Sequence, residues 1–286
     1  MADQDGNHGC QRVHLPRGGG ASADPGTAQA VAADQLVLPD PNSMLNVHTP
    51  ARVALGRVGS SLSTRRIQEL ELAHGMARDA VHLALDKQAL KQSLQDLGLD
   101  VIEVQSQVQD RAEYLMRPDK GRMLNPECRR QLTELKASSV PLLLVIGDGL
   151  SSMAIANHAV PLVKAIQSDC PWPLPYLVLA GQARVALADE IAQLLGAQMV
   201  AVLIGERPGL SSPDSLGIYF TYQPKTGCTD DARNCISNIR PQGLSYQRAA
   251  QKLLWLAAEA MRIGGSGIVL KDQSDQRLHQ IDPQVR

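Results

Sequence analysis

Val140-Pro141-Leu142-Leu143-Leu144-Val145-Ile146-Gly147-Asp148-Gly149-Leu150-Ser151-Ser152 decides the fold. From Leu142 to Ile146 every residue is apolar, without the alternation of a strand that keeps one face in water. Such a run fits a strand buried on both faces, and therefore a parallel sheet with helices on each side. Gly147-Asp148-Gly149 turns the chain out of the strand, and helical spacing from Ser152 to Ile166 supplies the crossover. The alternation continues with a strand over Tyr176 to Ala180, a helix over Ala188 to Leu195 and a strand over Met199 to Ile204. It predicts an α/β fold: a doubly wound, mostly parallel sheet flanked by helices. Ile218 to Tyr222 and Ile236 to Ile239 read as further short strands, and Tyr246 to Arg262 as an amphipathic helix before a polar tail.

Upstream the character differs. Ser63 to Leu97 carries the spacing of two consecutive helices, Val101 to Val108 alternates like a short strand, and a helix ends near Lys136 after a break at Pro118. Residues 51–139 thus form a mainly helical region in front of an α/β domain over 140–286. Residues 1–50, rich in Gly, Ala, Asp and Pro, read as a flexible extension. Within it Leu36-Val37-Leu38 is expected unattached, with docking on a partner surface as the alternative.

Composition removes several function classes. The formal charge of −1 over 286 residues gives no global field to recruit nucleic acid or an anionic membrane. At 3% aromatic content there is no stacking platform for single-stranded nucleic acid. The five cysteines are scattered and lack a C-x-x-C pair, which argues for reduced thiols in the cytoplasm over a disulfide framework or structural zinc. No signal peptide and no apolar run long enough to span a bilayer is apparent.

In an open α/β sheet, ligands collect beyond the carboxyl ends of the strands. Three loops end strands there: Gly147 to Ser152, Gly181-Gln182-Ala183-Arg184-Val185, and Gly205-Glu206-Arg207-Pro208-Gly209-Leu210. The first reads G-x-G-x-x-S, one glycine short of the dinucleotide fingerprint. It is either a phosphate contact or a tight turn with Ser151 or Ser152 as helix N-cap, in which Asp148 is only a turn residue. The third sets a carboxylate and a guanidinium beside Pro208 and Gly209 on a rigid turn suited to recognition. Its bland reading is a self-contained Glu206–Arg207 ion pair.

No complete catalytic set accompanies these loops. His158 belongs to no metal-ligand spacing and is expected to face solvent or a helix neighbour, and Cys235 reads by default as a buried structural thiol. There is no G-x-S-x-G elbow and no Walker loop. The residues favour a binding subunit. An independent nucleotide-binding enzyme and a scaffold contacting only protein are the alternatives.

Gly147-Asp148-Gly149-Leu150-Ser151, Gly205 to Leu210 and Cys235-Ile236-Ser237-Asn238-Ile239 together resemble the small (light) subunit family of ethanolamine ammonia-lyase. The likeness runs from about Ala51 to Ile268, through Leu55 to Gly59, Arg78 to Val81 and Tyr114-Leu115-Met116-Arg117-Pro118-Asp119-Lys120-Gly121-Arg122. It implies an adenosylcobalamin-dependent lyase that converts ethanolamine to acetaldehyde and ammonia by radical chemistry. It also implies a large TIM-barrel subunit that holds the substrate, with cobalamin at the interface. Cobalamin contacts carried over by motif fall on Val185, Glu206 and Cys235. The D-x-H-x-x-G motif of many cobalamin domains is missing, in keeping with a family that leaves the cofactor's own base on cobalt. The extension shows no amphipathic targeting helix, which leaves encapsulation in a bacterial microcompartment open.

Overall fold

The computed structural model describes residues 36–135 and 140–275. Its strands are β1 (Asp100–Gln105), β2 (Leu142–Gly147), β3 (Tyr176–Gly181), β4 (Met199–Gly205), β5 (Leu216–Tyr222) and β6 (Arg233–Ile239). They form a single sheet in the order β1-β3-β2-β4-β5-β6. The first four in that order are parallel, β5 runs antiparallel to β4, and β6 antiparallel to β5. This is the mostly parallel α/β architecture that the sequence predicts. The helices are α1 (Thr64–His82), α2 (Lys87–Gln95), α3 (Arg111–Met116), α4 (Pro126–Glu134), α5 (Ser152–Asp169), α6 (Leu187–Leu194) and α7 (Tyr246–Ile263).

The apolar run at β2 is continuous because both its faces are covered. Leu142, Leu144 and Ile146 enter one core with α5 and α7, while Leu143 and Val145 enter the other with α4 and α6. Each such buried side chain contributes about 1.5–3 kcal/mol relative to exposure. In β5 the two sides part company: Ile218 and Phe220 join the α5/α7 core, and Tyr219 packs at the margin of the other.

Two findings modify the expected layout. The short strand expected near Val101 is β1, and it pairs with β3 in register, Val101 opposite Leu177 and Val104 opposite Ala180. The sheet therefore takes its edge strand from the region read as mainly helical. Only Val104 of this strand is buried, so its sequence lacks the apolar signal of the inner strands. The described part of the N-terminal extension also has structure. A 3-10 turn spans Ser43–Val47, and Leu38 exchanges backbone hydrogen bonds of 2.7 and 3.0 Å with Arg57. Leu38 is thus attached; residues 1–35 lie outside the described residues, and the helix expected to end near Lys136 is α4, which ends at Glu134.

Candidate ligand shelf at the end of the sheet

β2 leads into α5 and β3 into α6, which lie on opposite faces, so the crevice between these two strand ends is where a doubly wound sheet ordinarily takes a ligand. Here the protein fills it with its own carboxylate. Asp148 accepts hydrogen bonds from the backbone amides of Gln182 (3.0 Å), Ala183 (2.9 Å) and Gly149 (3.1 Å), and Arg111 approaches it at 3.8 Å. Burial pushes its pKa up, against the pull of the Ala183 amide and Arg111. Read from the sequence as a turn residue, Asp148 joins two loops.

The start of α5 is closed as well. Ser151 Oγ accepts from the Ala154 amide at 3.2 Å and donates to the Pro213 carbonyl at 2.8 Å, and both Ser151 and Ser152 are buried. Gly149, at φ 60°, lies so close to the end of β4 that a Cβ would stand 2.3 Å from the Gly205 carbonyl oxygen. The G-x-G-x-x-S stretch is therefore an N-cap turn, with the amides of Gly149, Leu150 and Ala154 used internally.

The third loop keeps its two charges apart. Glu206 does not pair with Arg207, which is exposed; one carboxylate oxygen accepts from the Ser215 hydroxyl and from the Asn238 amide at 3.3 Å. Its other oxygen lies above Gly217, where a Cβ would stand 2.8 Å away, and has no hydrogen-bond partner among the described residues. The far end of the loop is pinned by His158, whose ring nitrogens lie 2.8 Å from Tyr246 Oη and 3.0 Å from Asp214 Oδ2. His158 thus meets a helix neighbour, as one reading allowed, but is buried and does not face solvent.

Val185 sits on a loop braced from the helical region. Tyr114, fully buried, donates to the Ala183 carbonyl at 3.1 Å, and the Arg184 amide donates to the Gly121 carbonyl at 2.8 Å. A Cβ on Gly121 would fall 2.8 Å from Arg184 Cγ, so this glycine lets the arginine stem cross. Here lies a structural reason for Tyr114 and Gly121 in the Tyr114 to Arg122 stretch.

Cys235 is exposed, which corrects its reading as a buried thiol. It lies on edge strand β6 directly opposite Tyr219 of β5, and the two side chains are close enough to influence each other's titration. Partial desolvation pushes the thiol pKa up, Tyr219 works against it, and the Glu206 carboxylate adds to it. Desolvation first, then Cys235 and Glu206, pushes the Tyr219 phenol up to about 12, so it remains a donor at neutral pH.

Val185, Glu206 and Cys235 therefore gather round Tyr219, a residue the sequence reading passed over. A cleft of about 430 Å³ runs between Val185, Ile204, Glu206 and Tyr219, and a second of about 600 Å³ continues past Val185 and Tyr219 to Cys228. Among the described residues, no group of three His, Cys, Asp or Glu side chains is placed to hold a metal ion. No helix among them is long and apolar enough to cross a membrane.

Fold and site define the class: an open α/β protein with a broad shelf of mixed polarity beside the carboxyl ends of its parallel strands. Residues 39–271 match the family model described as ethanolamine ammonia-lyase light chain (EutC). The chain is 50% identical over 242 residues to the ethanolamine ammonia-lyase small subunit of Azotobacter vinelandii, covering 82% of this chain and 90% of that one. Against the small subunit of Pseudomonas fluorescens it is 48% identical over 260 residues, 88% of this chain and 94% of the other. Against that of Ralstonia nicotianae it is 48% identical over 248 residues, 85% and 92% respectively. The chain belongs to the ethanolamine ammonia-lyase small-subunit family.

Proposed function

We propose that this chain is the small subunit of an adenosylcobalamin-dependent ethanolamine ammonia-lyase, acting with a large subunit to convert ethanolamine to acetaldehyde and ammonia. The observation that carries the reading is the convergence of Val185, Glu206 and Cys235, from three separate segments, around Tyr219. The shelf suits cobalamin in character. Val185 and Tyr219 offer apolar surface, Cys235 a thiol held protonated, and Glu206 a free acceptor oxygen for the amide groups at a corrin edge. Neither cleft, at about 430 and 600 Å³, encloses so large a cofactor, so a second subunit completes the site.

When bound, the cofactor supplies the radical chemistry. This chain orients it: Glu206 accepts from its periphery, and Val185 and Cys235 pack against it. The large subunit holds the substrate and covers region 51–139, where α1 exposes Ile67, Leu72 and Met76. The protein works in the cytoplasm, with encapsulation in a microcompartment as a further option. The nucleotide-binding alternative loses support, because Asp148 takes the amides of Gly149, Gln182 and Ala183 and Ser151 takes that of Ala154.

Co-expression with the large subunit tests this. A stable complex that deaminates ethanolamine only with adenosylcobalamin is expected. Failure to form a complex, or a large subunit fully active without this chain, would overturn it.

A further inference from the structure

The second cleft has a charge pattern of its own. Its walls carry Arg122, Arg184 and Arg233, together with Thr226, Gly227, Thr229 and Asp230. Arg233 is neutralised by Asp189 at 2.6 and 2.7 Å, and the Asp230 side chain is fully solvated. Arg122 and Arg184 have no carboxylate partner among the described residues.

Arg184 is the better placed of the two. Its guanidinium lies 4.2 Å from the centre of the Tyr114 ring and donates to the Tyr114 carbonyl at 3.0 Å, which fixes its plane. The neighbouring Arg111 also lies over that ring, at 4.6 Å, but Arg111 has Asp148 close by. An arginine held flat, lining a cleft and lacking a counter-ion is suited to an anion with several oxygen acceptors. The start of α5, the usual phosphate site of such a sheet, is closed by Ser151.

We propose that the cleft walled by Arg122 and Arg184 is an anion subsite that takes the phosphodiester joining the corrin ring of the cofactor to its nucleotide limb. This rests on the cobalamin reading above and adds a direction to it. The ring lies on the Glu206 and Tyr219 side, and the limb runs past Val185 toward Cys228.

The test uses the complex purified with its large subunit, with Arg122→Gln, Arg184→Gln, the double variant and Arg184→Lys. Three probes are compared by equilibrium dialysis, read from corrinoid absorbance: adenosylcobalamin, adenosylcobinamide phosphate, and adenosylcobinamide, which has no phosphate. Arg184→Gln is expected to weaken the first two by about tenfold or more, as loss of a charge-assisted hydrogen bond implies, and adenosylcobinamide by less than about twofold. The double variant loses more, and Arg184→Lys recovers part of the affinity. Wild-type binding of the phosphate-bearing probes also falls with salt more steeply than that of the double variant.

Equal weakening of all three probes would overturn the proposal, because the arginines would then act on the ring or on the loop itself. So would unchanged affinity for adenosylcobalamin. A wild-type complex that binds none of the probes would instead overturn the cobalamin reading on which the proposal rests.

Discussion

The two halves of this sheet spend their strand ends differently. In the parallel half, β1, β3, β2 and β4, the crevice between the ends of β2 and β3 is sealed: Asp148 takes the amides of the β3 loop, Ser151 caps α5, and Gly149 packs against Gly205. In the antiparallel half, β5 and β6, one face packs on α7 while the other shows Tyr219 to the open clefts, with Cys235 exposed opposite it. The crevice that a doubly wound fold ordinarily gives to a ligand has become scaffold, and the open shelf lies beside it, from the loops after β3 and β4 to the face of β5.

The clamp between the halves offers the largest effect. Arg233 of β6 makes a bidentate pair with Asp189 of α6 in full burial, and also reaches Thr221 at 3.2 Å and the Cys228 carbonyl at 2.9 Å. Asp189→Ala would leave the guanidinium buried and uncompensated, at a cost of about 3–5 kcal/mol. Urea denaturation of the complex checks this, and a loss under about 1 kcal/mol would mean that β6 does not depend on the clamp.

Glycine substitutions probe the contrast itself. Gly149→Ala, in the sealed half, forces a Cβ to within 2.3 Å of a backbone oxygen at a positive φ and should cost about 3 kcal/mol. Gly227→Ala, in the β5–β6 loop, meets nothing within 4 Å and carries only the penalty of its φ of 95°, about 1 kcal/mol. Thermal unfolding of the two variants side by side would show whether the halves differ in tightness; equal losses would erase the distinction.

The parallel half was also the more legible in the sequence. A strand covered on both faces reads as an unbroken apolar run, and the bounds expected for β2, β3, β4 and α5 fall within a few residues of those observed. β1 escaped assignment to the sheet because an edge strand carries little apolar signal. Of the site, the sequence offered the loops and, through family resemblance, Val185, Glu206 and Cys235. It did not offer what joins them. The role of Asp148 depends on contacts between distant segments and that of Ser215 on the folding of one loop back on itself, and no spacing rule encodes either. Tyr219 left a fainter trace, as a polar-tipped aromatic between Ile218 and Phe220, on the face opposite theirs.

A smaller effect concerns Cys235, an exposed thiol that should alkylate more slowly than its exposure suggests. Its pKa is raised above the ordinary 9.0, so the thiolate is scarce at pH 8 and the rate should still be climbing beyond pH 9. Because the Glu206 carboxylate opposes the thiolate charge, Glu206→Gln should move the profile to lower pH and speed alkylation at pH 8 about twofold or more. Peptide-resolved mass spectrometry after iodoacetamide treatment separates Cys235 from Cys10, Cys128, Cys170 and Cys228. An unchanged profile would mean that the two groups do not sense each other across the shelf.

The central claim is that the loop joining the two halves, through Glu206, holds part of the cofactor in the assembled enzyme. Cobalamin retention by the complex carrying Glu206→Ala tests it most directly, with complex formation measured in parallel. The account predicts that the subunits still assemble while affinity for adenosylcobalamin falls about tenfold, as an unpaired polar partner implies. Retention equal to wild type in a normally assembled complex would contradict it.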